Sequence, residues 1–216
     1  MAGGGKRRVA ILISGRGSNM VALIEAARDP TFPAEIVLVL SNRPDAAGLV
    51  RAAEAGIPAR AIDHRAYPDR ATFDAALDAE LRAAAVDLVC LAGFMRILTP
   101  GFVAGWAGRM INIHPSLLPL FKGTHTHRQA LDAGVRLHGC TVHFVVPELD
   151  AGPILAQAAI PVRQNDDPNS LADRVIVQER RLYPAVLALV AGGQAWLEGG
   201  RVILAAQAPD GALLSL

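Results

Sequence analysis

The chain has 216 residues, of which 52% are hydrophobic and 19% are charged, and its formal net charge is +1. This composition excludes a disordered chain, and the near-neutral charge excludes a strongly basic surface for nucleic acid or an anionic membrane. No apolar run approaches the roughly 18 residues of a membrane-spanning helix, and two cysteines, Cys90 and Cys140, make no disulfide framework. We therefore expect a cytoplasmic protein with buried thiols.

Apolar runs of strand length alternate with segments of helical periodicity through the first half of the chain. In chain order, the sequence predicts a strand at 9–14, a helix at 19–28, a strand at 35–40, a helix at 45–55, a strand at 59–62, a helix at 69–85 and strands at 87–92 and 110–114. Continuous apolar strands separated by helices indicate a doubly wound α/β fold, with a mostly parallel sheet covered on both faces.

The pattern changes after residue 135. Two runs, 137–146 and 154–162, follow one another without a helix and predict antiparallel strands at the sheet edge. A long helix at 170–190 and a terminal hairpin around Gly199-Gly200 complete the chain. We expect a single domain over 1–216, with a nucleotide-binding half at 1–100 and a catalytic half at 101–216.

A glycine-rich turn, Ser14-Gly15-Arg16-Gly17-Ser18-Asn19, follows the first strand and opens the first helix. Glycines let the backbone approach a ligand closely, and free N–H groups at a helix N-terminus attract phosphate. The turn lacks the third glycine of a dinucleotide fingerprint and the Gly-Lys-Ser of a Walker loop. It predicts a site for a single phosphate, although an ordinary capped turn would show the same pattern.

A second turn, Ala92-Gly93-Phe94-Met95-Arg96-Ile97-Leu98, leaves the carboxyl end of the strand predicted at 87–92. Ligands of open α/β sheets bind at that edge. The apolar side chains of this turn could form a slot for a flat ring, with backbone groups reading its rim. Spacing alone favours the plainer interpretation, in which they pack a loop against the start of a helix.

The motif Asn112-Ile113-His114-Pro115 ends the strand predicted at 110–114. Residues i and i+2 of a strand point to the same side, so an amide donor and an imidazole project together. Such a pair suits stabilisation of an oxyanion and transfer of its protons. A structural asparagine beside a core histidine is the alternative that these residues alone leave open.

A later loop carboxylate, Asp150, precedes Gly152-Pro153 and either caps its own turn or orients and charges the imidazole of His114. Several histidines invite a metal site, but their spacing lacks the usual ligand patterns, and His125-x-His127 on a loop is a weak signal. We therefore expect no metal. His143 alternates with apolar neighbours, which allows it to face a polar cleft.

Taken together, the glycine turn, Ala-Gly-Phe-Met-Arg-Ile-Leu, Asn-Ile-His-Pro-Ser-Leu-Leu-Pro and Glu-Leu-Asp-Ala-Gly-Pro resemble the phosphoribosylglycinamide formyltransferases (glycinamide ribonucleotide transformylases) of purine biosynthesis. The resemblance covers about residues 8–205. The Asn-x-His-Pro-Ser block and the later aspartate are shared across the formyltetrahydrofolate transferase superfamily. The resemblance implies transfer of a formyl group from the co-substrate 10-formyltetrahydrofolate to the amine of 5′-phosphoribosylglycinamide, without metal.

The resemblance also implies a role for each matching residue. The catalytic residues would be Asn112, His114 and Asp150. The ribonucleotide would be bound through its phosphate by Gly17, Ser18 and Asn19, and through its ribose hydroxyls by Glu179. The folate would contact Arg70 with its glutamate tail, and Met95, Arg96, Ile97, Leu98 and Asn112 with its pterin end. Residues 101–216 would then be the folate and catalytic half, and the partners would be small molecules bound by a monomer or homodimer.

Three other functions compete with this one. A formyltetrahydrofolate hydrolase would carry a further N-terminal domain, whereas the first strand here begins by residue 9. A methionyl-tRNA formyltransferase would need a C-terminal RNA-binding domain and a basic surface. A non-catalytic nucleotide- or folate-binding module would not need the trio Asn112, His114 and Asp150. We therefore expect the formyltransferase.

Overall fold

The structure is a computed structural model, and it describes residues 5–205. Its strands are β1 (Arg7–Ile13), β2 (Ala34–Ser41), β3 (Ala59–Ala61), β4 (Leu88–Leu91), β5 (Met110–His114), β6 (Leu137–Phe144), β7 (Ile154–Pro161), β8 (Ala195–Glu198) and β9 (Arg201–Leu204). Its helices are α1 (Ser18–Ala27), α2 (Ala47–Glu54), α3 (Arg70–Ala83), α4 (Pro100–Gly105), α5 (Thr126–Asp132) and α6 (Pro168–Ala191), with a 3₁₀ turn at His64–Ala66.

Seven strands form one sheet in the order β3-β2-β1-β4-β5-β6-β7. The pairs from β3 to β5 are parallel, and β5, β6 and β7 pair antiparallel. This arrangement confirms the predicted fold class. Because β1 lies between β2 and β4, the connections run in opposite directions on its two sides, and the carboxyl ends of β1 and β4 border the crevice where such sheets bind ligands.

The core consists of two apolar layers on opposite faces of the sheet. Alternate residues of β1 divide between them: Val9, Ile11 and Ile13 join the layer that contains residues of α1 and α6, and Ala10 and Leu12 join the layer that contains residues of α3 and α4. This division follows from the two-residue period of a strand and explains why the central strands are apolar throughout.

The predicted strands and long helices are present with shifts of one or two residues at their ends. The helix predicted from Asp45 begins instead at Ala47, with Ala46 in an extended conformation at its N-cap. The Asp45 carboxylate lies before the helix and pairs with Arg43 at 2.8 Å. Two short helices, α4 and α5, were not predicted. Since α5 begins at Thr126, the prediction that His127 lies on a loop is wrong.

No helix within residues 5–205 combines the length and the apolar character that a membrane span requires.

Candidate active site

The strand β5 carries two polar side chains at the carboxyl end of the sheet. Asn112 pairs across the sheet with His143, and His114 pairs with Thr141. The two side chains lie two residues apart in the strand, so they project from the same face. Pro115 follows His114 directly, at the end of the strand, where the missing N–H of a proline costs no ladder hydrogen bond.

His114 is buried and its two ring nitrogens have different partners. Nε2 lies 2.9 Å from the carbonyl oxygen of Phe121. A carbonyl only accepts, so Nε2 carries a proton and donates it to Phe121. Nδ1 lies 3.4 Å from Oδ2 of Asp150 and carries a proton only in the imidazolium form.

Asp150 connects the two loops that border the site. Its Oδ2 accepts a hydrogen bond from the backbone N–H of Gly123 at 2.8 Å, and its side chain is 8% exposed. Its φ of 48° lies in the left-handed region, which aspartate and asparagine tolerate better than most residues. In this conformation the Asp150 carboxylate faces the two histidines, and its Oδ1 lies 4.0 Å from Nε2 of His143.

His143 belongs to the same cluster, although the sequence indicated only that it could face a polar cleft. Its Nδ1 donates to the carbonyl of Phe144 at 2.9 Å, so Nε2 of the neutral ring is an acceptor. Nδ2 of Asn112 lies 3.2 Å from that Nε2. Burial lowers the pKa of His143, which favours the neutral ring and keeps the amide of Asn112 oriented as a donor.

The glycine turn (residues 14–19) lies between β1 and α1. Gly17 is the N-cap of α1 and has a φ of 70°, which favours glycine. A Cβ at this position would lie 2.9 Å from Cε of Met20 and 3.2 Å from Cα of Gly48 in α2. Gly48 also donates its N–H to the carbonyl of Gly15 at 3.0 Å. The turn is thus packed tightly against α2, with Ser18 and Asn19 in the first turn of α1.

The structure brings together Asn19 and Glu179, which are 160 residues apart in the sequence. Nδ2 of Asn19 donates to Oε2 of Glu179 at 2.6 Å. Both side chains are buried, and burial raises the pKa of Glu179. Oδ1 of Asn19 is buried without a hydrogen-bond partner among the described residues, so it is an acceptor available to a ligand.

The Met95 turn (residues 93–98) exposes apolar side chains at the same edge of the sheet. Met95 is 71% exposed and Ile97 is 58% exposed, whereas Leu98 is buried. The guanidinium of Arg96 turns away onto the ring of Phe73, 5.9 Å from its centroid. Exposed apolar groups beside backbone donors and acceptors suit a flat, polar-edged ring.

Arg70 is exposed at the first position of α3. No hydrogen bond or ion pair within residues 5–205 links it to the Met95 turn. The hydrogen bonds and ion pairs that place the cluster around His114, the Asn19–Glu179 pair and the Met95 turn therefore do not involve Arg70. Within the same residues, no group of three or more histidine, cysteine or acidic side chains could hold a metal ion.

Residues 7–187 match the formyl transferase family. The chain belongs to this family, and its fold is that of a formyl transferase.

Among its relatives, the phosphoribosylglycinamide formyltransferase of Escherichia coli (strain K12) is 45% identical over 90% of this chain and 95% of its own length. The trifunctional purine biosynthetic protein adenosine-3 of Bos taurus is 53% identical over 91% of this chain. The chain spans only 20% of that bovine protein. A glycinamide ribonucleotide transformylase from Symbiobacterium toebii superposes with a TM-score of 0.89 and 46% identity, over 92% of this chain and 94% of that one.

Proposed function

We propose that the chain transfers the formyl group of 10-formyltetrahydrofolate to the amine of 5′-phosphoribosylglycinamide, a step of purine biosynthesis. The observation that carries the proposal is the cluster of Asn112, His143, Asp150 and His114 at the carboxyl edge of the sheet, in which Asn112 contacts His143 and Asp150 contacts His114. The choice of substrates is supported by the match of this chain, over nearly the full length of both proteins, to relatives named phosphoribosylglycinamide formyltransferase and glycinamide ribonucleotide transformylase.

The contacts supply what acyl transfer to an amine requires. The amine attacks the formyl carbon and an oxyanion forms. The attacking nitrogen then loses a proton, which we propose passes through water to the carboxylate of Asp150, and collapse of the adduct expels N10 of the folate. Asn112 has a second amide N–H beyond the one directed at His143, and we propose that it donates to the oxyanion. We propose that the Asp150 carboxylate favours the imidazolium form of His114, and that the proton on Nδ1, the nitrogen that Phe121 does not engage, is donated to the same oxyanion and then to N10.

The remaining residues bind the substrates in this proposal. Gly17, Ser18 and Asn19 hold the ribonucleotide phosphate at the N-terminus of α1, where the helix dipole favours an anion. Glu179 accepts from the ribose hydroxyls. Met95, Arg96, Ile97 and Leu98 enclose the pterin, with backbone groups of Arg96 and Leu98 at its edge, and Arg70 binds the glutamate tail.

The division of the chain into a nucleotide-binding half and a catalytic half of one domain is part of the same proposal. The proposal also includes the absence of a metal requirement and a cytoplasmic location. The buried, unpaired thiols of Cys90 and Cys140 support the cytoplasmic location. We propose a monomer or a homodimer as the active unit, and analytical ultracentrifugation of the assayed protein distinguishes them.

The deciding experiment measures tetrahydrofolate release from 10-formyltetrahydrofolate by the purified chain, with and without phosphoribosylglycinamide. Release that requires the ribonucleotide supports the proposal. Release at the same rate without it would mean that water is the acceptor and that the chain is a hydrolase. A His114→Ala preparation, purified identically, controls for activity carried over from the host.

A further inference from the structure

Ser14 is the first residue after β1 and the first of the glycine turn. It lies at the switch point of the sheet, where the ends of β1 and β4 border the crevice. Its side chain is buried, with 6% of the residue exposed. The proposed function gives a role to three later residues of this turn but none to Ser14.

The polar atoms of Ser14 hold the Met95 turn at two points. Its backbone N–H donates to the carbonyl of Gly93 at 3.1 Å. Its hydroxyl oxygen accepts from the backbone N–H of Met95 at 2.7 Å, and the hydroxyl proton is donated to Oδ1 of Asn42 at 2.5 Å. Asn42 follows β2 and is also buried, so the ends of three neighbouring strands are joined through one hydroxyl.

The Met95 turn depends on such contacts because it has no regular secondary structure of its own. Gly93 has a φ of 73°, and Met95 and Ile97 project into solvent rather than into the core. At its far end, the N–H of Thr99 donates to Oδ2 of Asp74 at 2.6 Å. Ser14 is therefore the side chain that fixes the near end of a turn whose apolar residues face outward.

We infer that Ser14 is a positioning residue for the formyl-donor site: its hydroxyl holds the Met95 turn in the conformation that binds the folate ring. The inference rests on the proposed function. It predicts that loss of the hydroxyl weakens folate binding more than ribonucleotide binding, because the Ser14 hydroxyl contacts the Met95 turn and not the N-terminus of α1. Removing a buried acceptor from a backbone N–H leaves that donor unsatisfied until the turn moves or water enters.

The test compares Ser14→Ala with the unaltered chain in steady-state kinetics with both substrates and in calorimetric binding of tetrahydrofolate. We expect KM for 10-formyltetrahydrofolate and Kd for tetrahydrofolate to rise about tenfold, equivalent to about 1.4 kcal/mol. KM for phosphoribosylglycinamide should change less than twofold. Equal increases in both KM values, or an unchanged donor KM, would overturn the inference.

Ser41→Ala is the matched control. Ser41 follows the same pattern at the end of β2: it is fully buried, and its hydroxyl accepts from the backbone N–H of Arg43 at 3.1 Å, outside the donor site. It should lower the melting temperature about as much as Ser14→Ala without changing the donor KM. If Ser14→Ala does not fold, Asn42→Ala replaces it in the test, because it retains Ser14 but removes the amide oxygen that accepts from the Ser14 hydroxyl. This variant should raise KM for 10-formyltetrahydrofolate two- to fivefold.

An equal donor KM in Asn42→Ala and the unaltered chain would then count against the inference. Its failure is distinct from failure of the proposed function, which would leave the unaltered chain inactive with phosphoribosylglycinamide. An active chain whose Ser14→Ala variant binds tetrahydrofolate normally would retain the proposed function and lose only the positioning role.

Discussion

The substitution Asp150→Asn separates a catalytic carboxylate from a structural one. The left-handed φ of Asp150 also suits asparagine, whose side-chain carbonyl can still accept from the N–H of Gly123. The substitution therefore removes the negative charge while it preserves the backbone conformation and the loop contact. What it changes is the interaction of the side chain with the His114 ring, whose Nδ1 lies 3.4 Å from Oδ2 of Asp150.

The size of the effect follows from that distance. Two unit charges 3.4 Å apart attract by about 5 kcal/mol at an effective dielectric constant of about 20. Desolvation of the two buried groups offsets part of this attraction. We therefore expect a loss of about 3 to 4 kcal/mol of transition-state stabilisation, which lowers kcat by about 10²–10³. KM for either substrate should change little, because in the proposed mechanism Asp150 acts on His114 and on proton transfer and contacts neither substrate in the bound ground state.

The assay combines steady-state kinetics with thermal unfolding on one purified sample of Asp150→Asn. Asp150→Ala serves as a comparison, because it loses the Gly123 contact as well as the charge and places alanine at an unfavourable φ. We expect it to unfold at a lower temperature than Asp150→Asn while both have similarly low kcat. Normal turnover in Asp150→Asn with a lowered melting temperature would refute the reasoning and make Asp150 a structural residue.

Three further predictions concern Asn112, Gly17 and His138, a fully buried histidine of β6. Asn112→Ala should lower kcat by about 10²–10³, as loss of one oxyanion donor does, and wild-type turnover in the folded variant would exclude that role. Gly17→Ala should raise KM for phosphoribosylglycinamide but not Kd for tetrahydrofolate, because its Cβ would press on Met20 and Gly48 beside the phosphate site; the opposite selectivity in titrations would contradict this. Burial lowers the pKa of His138 from 6.5 to about 4, so on acidification the unfolded chain protonates this histidine at a higher pH than the folded chain does. The free energy of unfolding in urea should therefore fall as the pH drops from 6.5 to about 4, and this slope should be smaller in His138→Gln; identical slopes would rule out His138 as the cause.

Local patterns in the sequence account for much of the fold and part of the site. The apolar alternation of the strands and the long helices could be predicted because each depends on neighbours within a few residues. The common face of Asn112 and His114 followed from strand periodicity in the same way. The short helix α4 also had a local signal, since Thr99 caps it and Pro100 occupies its first position, but six residues are too few for periodicity to show.

The contacts that complete the site could not be predicted, because they join residues that are distant in the sequence. Asn19 meets Glu179 across 160 residues, and Met95 meets Ser14 across 81. A sequence pattern identifies which residues follow a strand, but it does not fix the order of strands in the sheet. Only the order β2-β1-β4-β5 places the glycine turn beside the Met95 turn and both beside Asn112. In a parallel sheet every strand ends at the same edge, so strand order alone decides which loops share a ligand. For this reason the roles of Ser14, which fixes the Met95 turn, and of His143, which contacts Asn112, become recognisable only once that order is known.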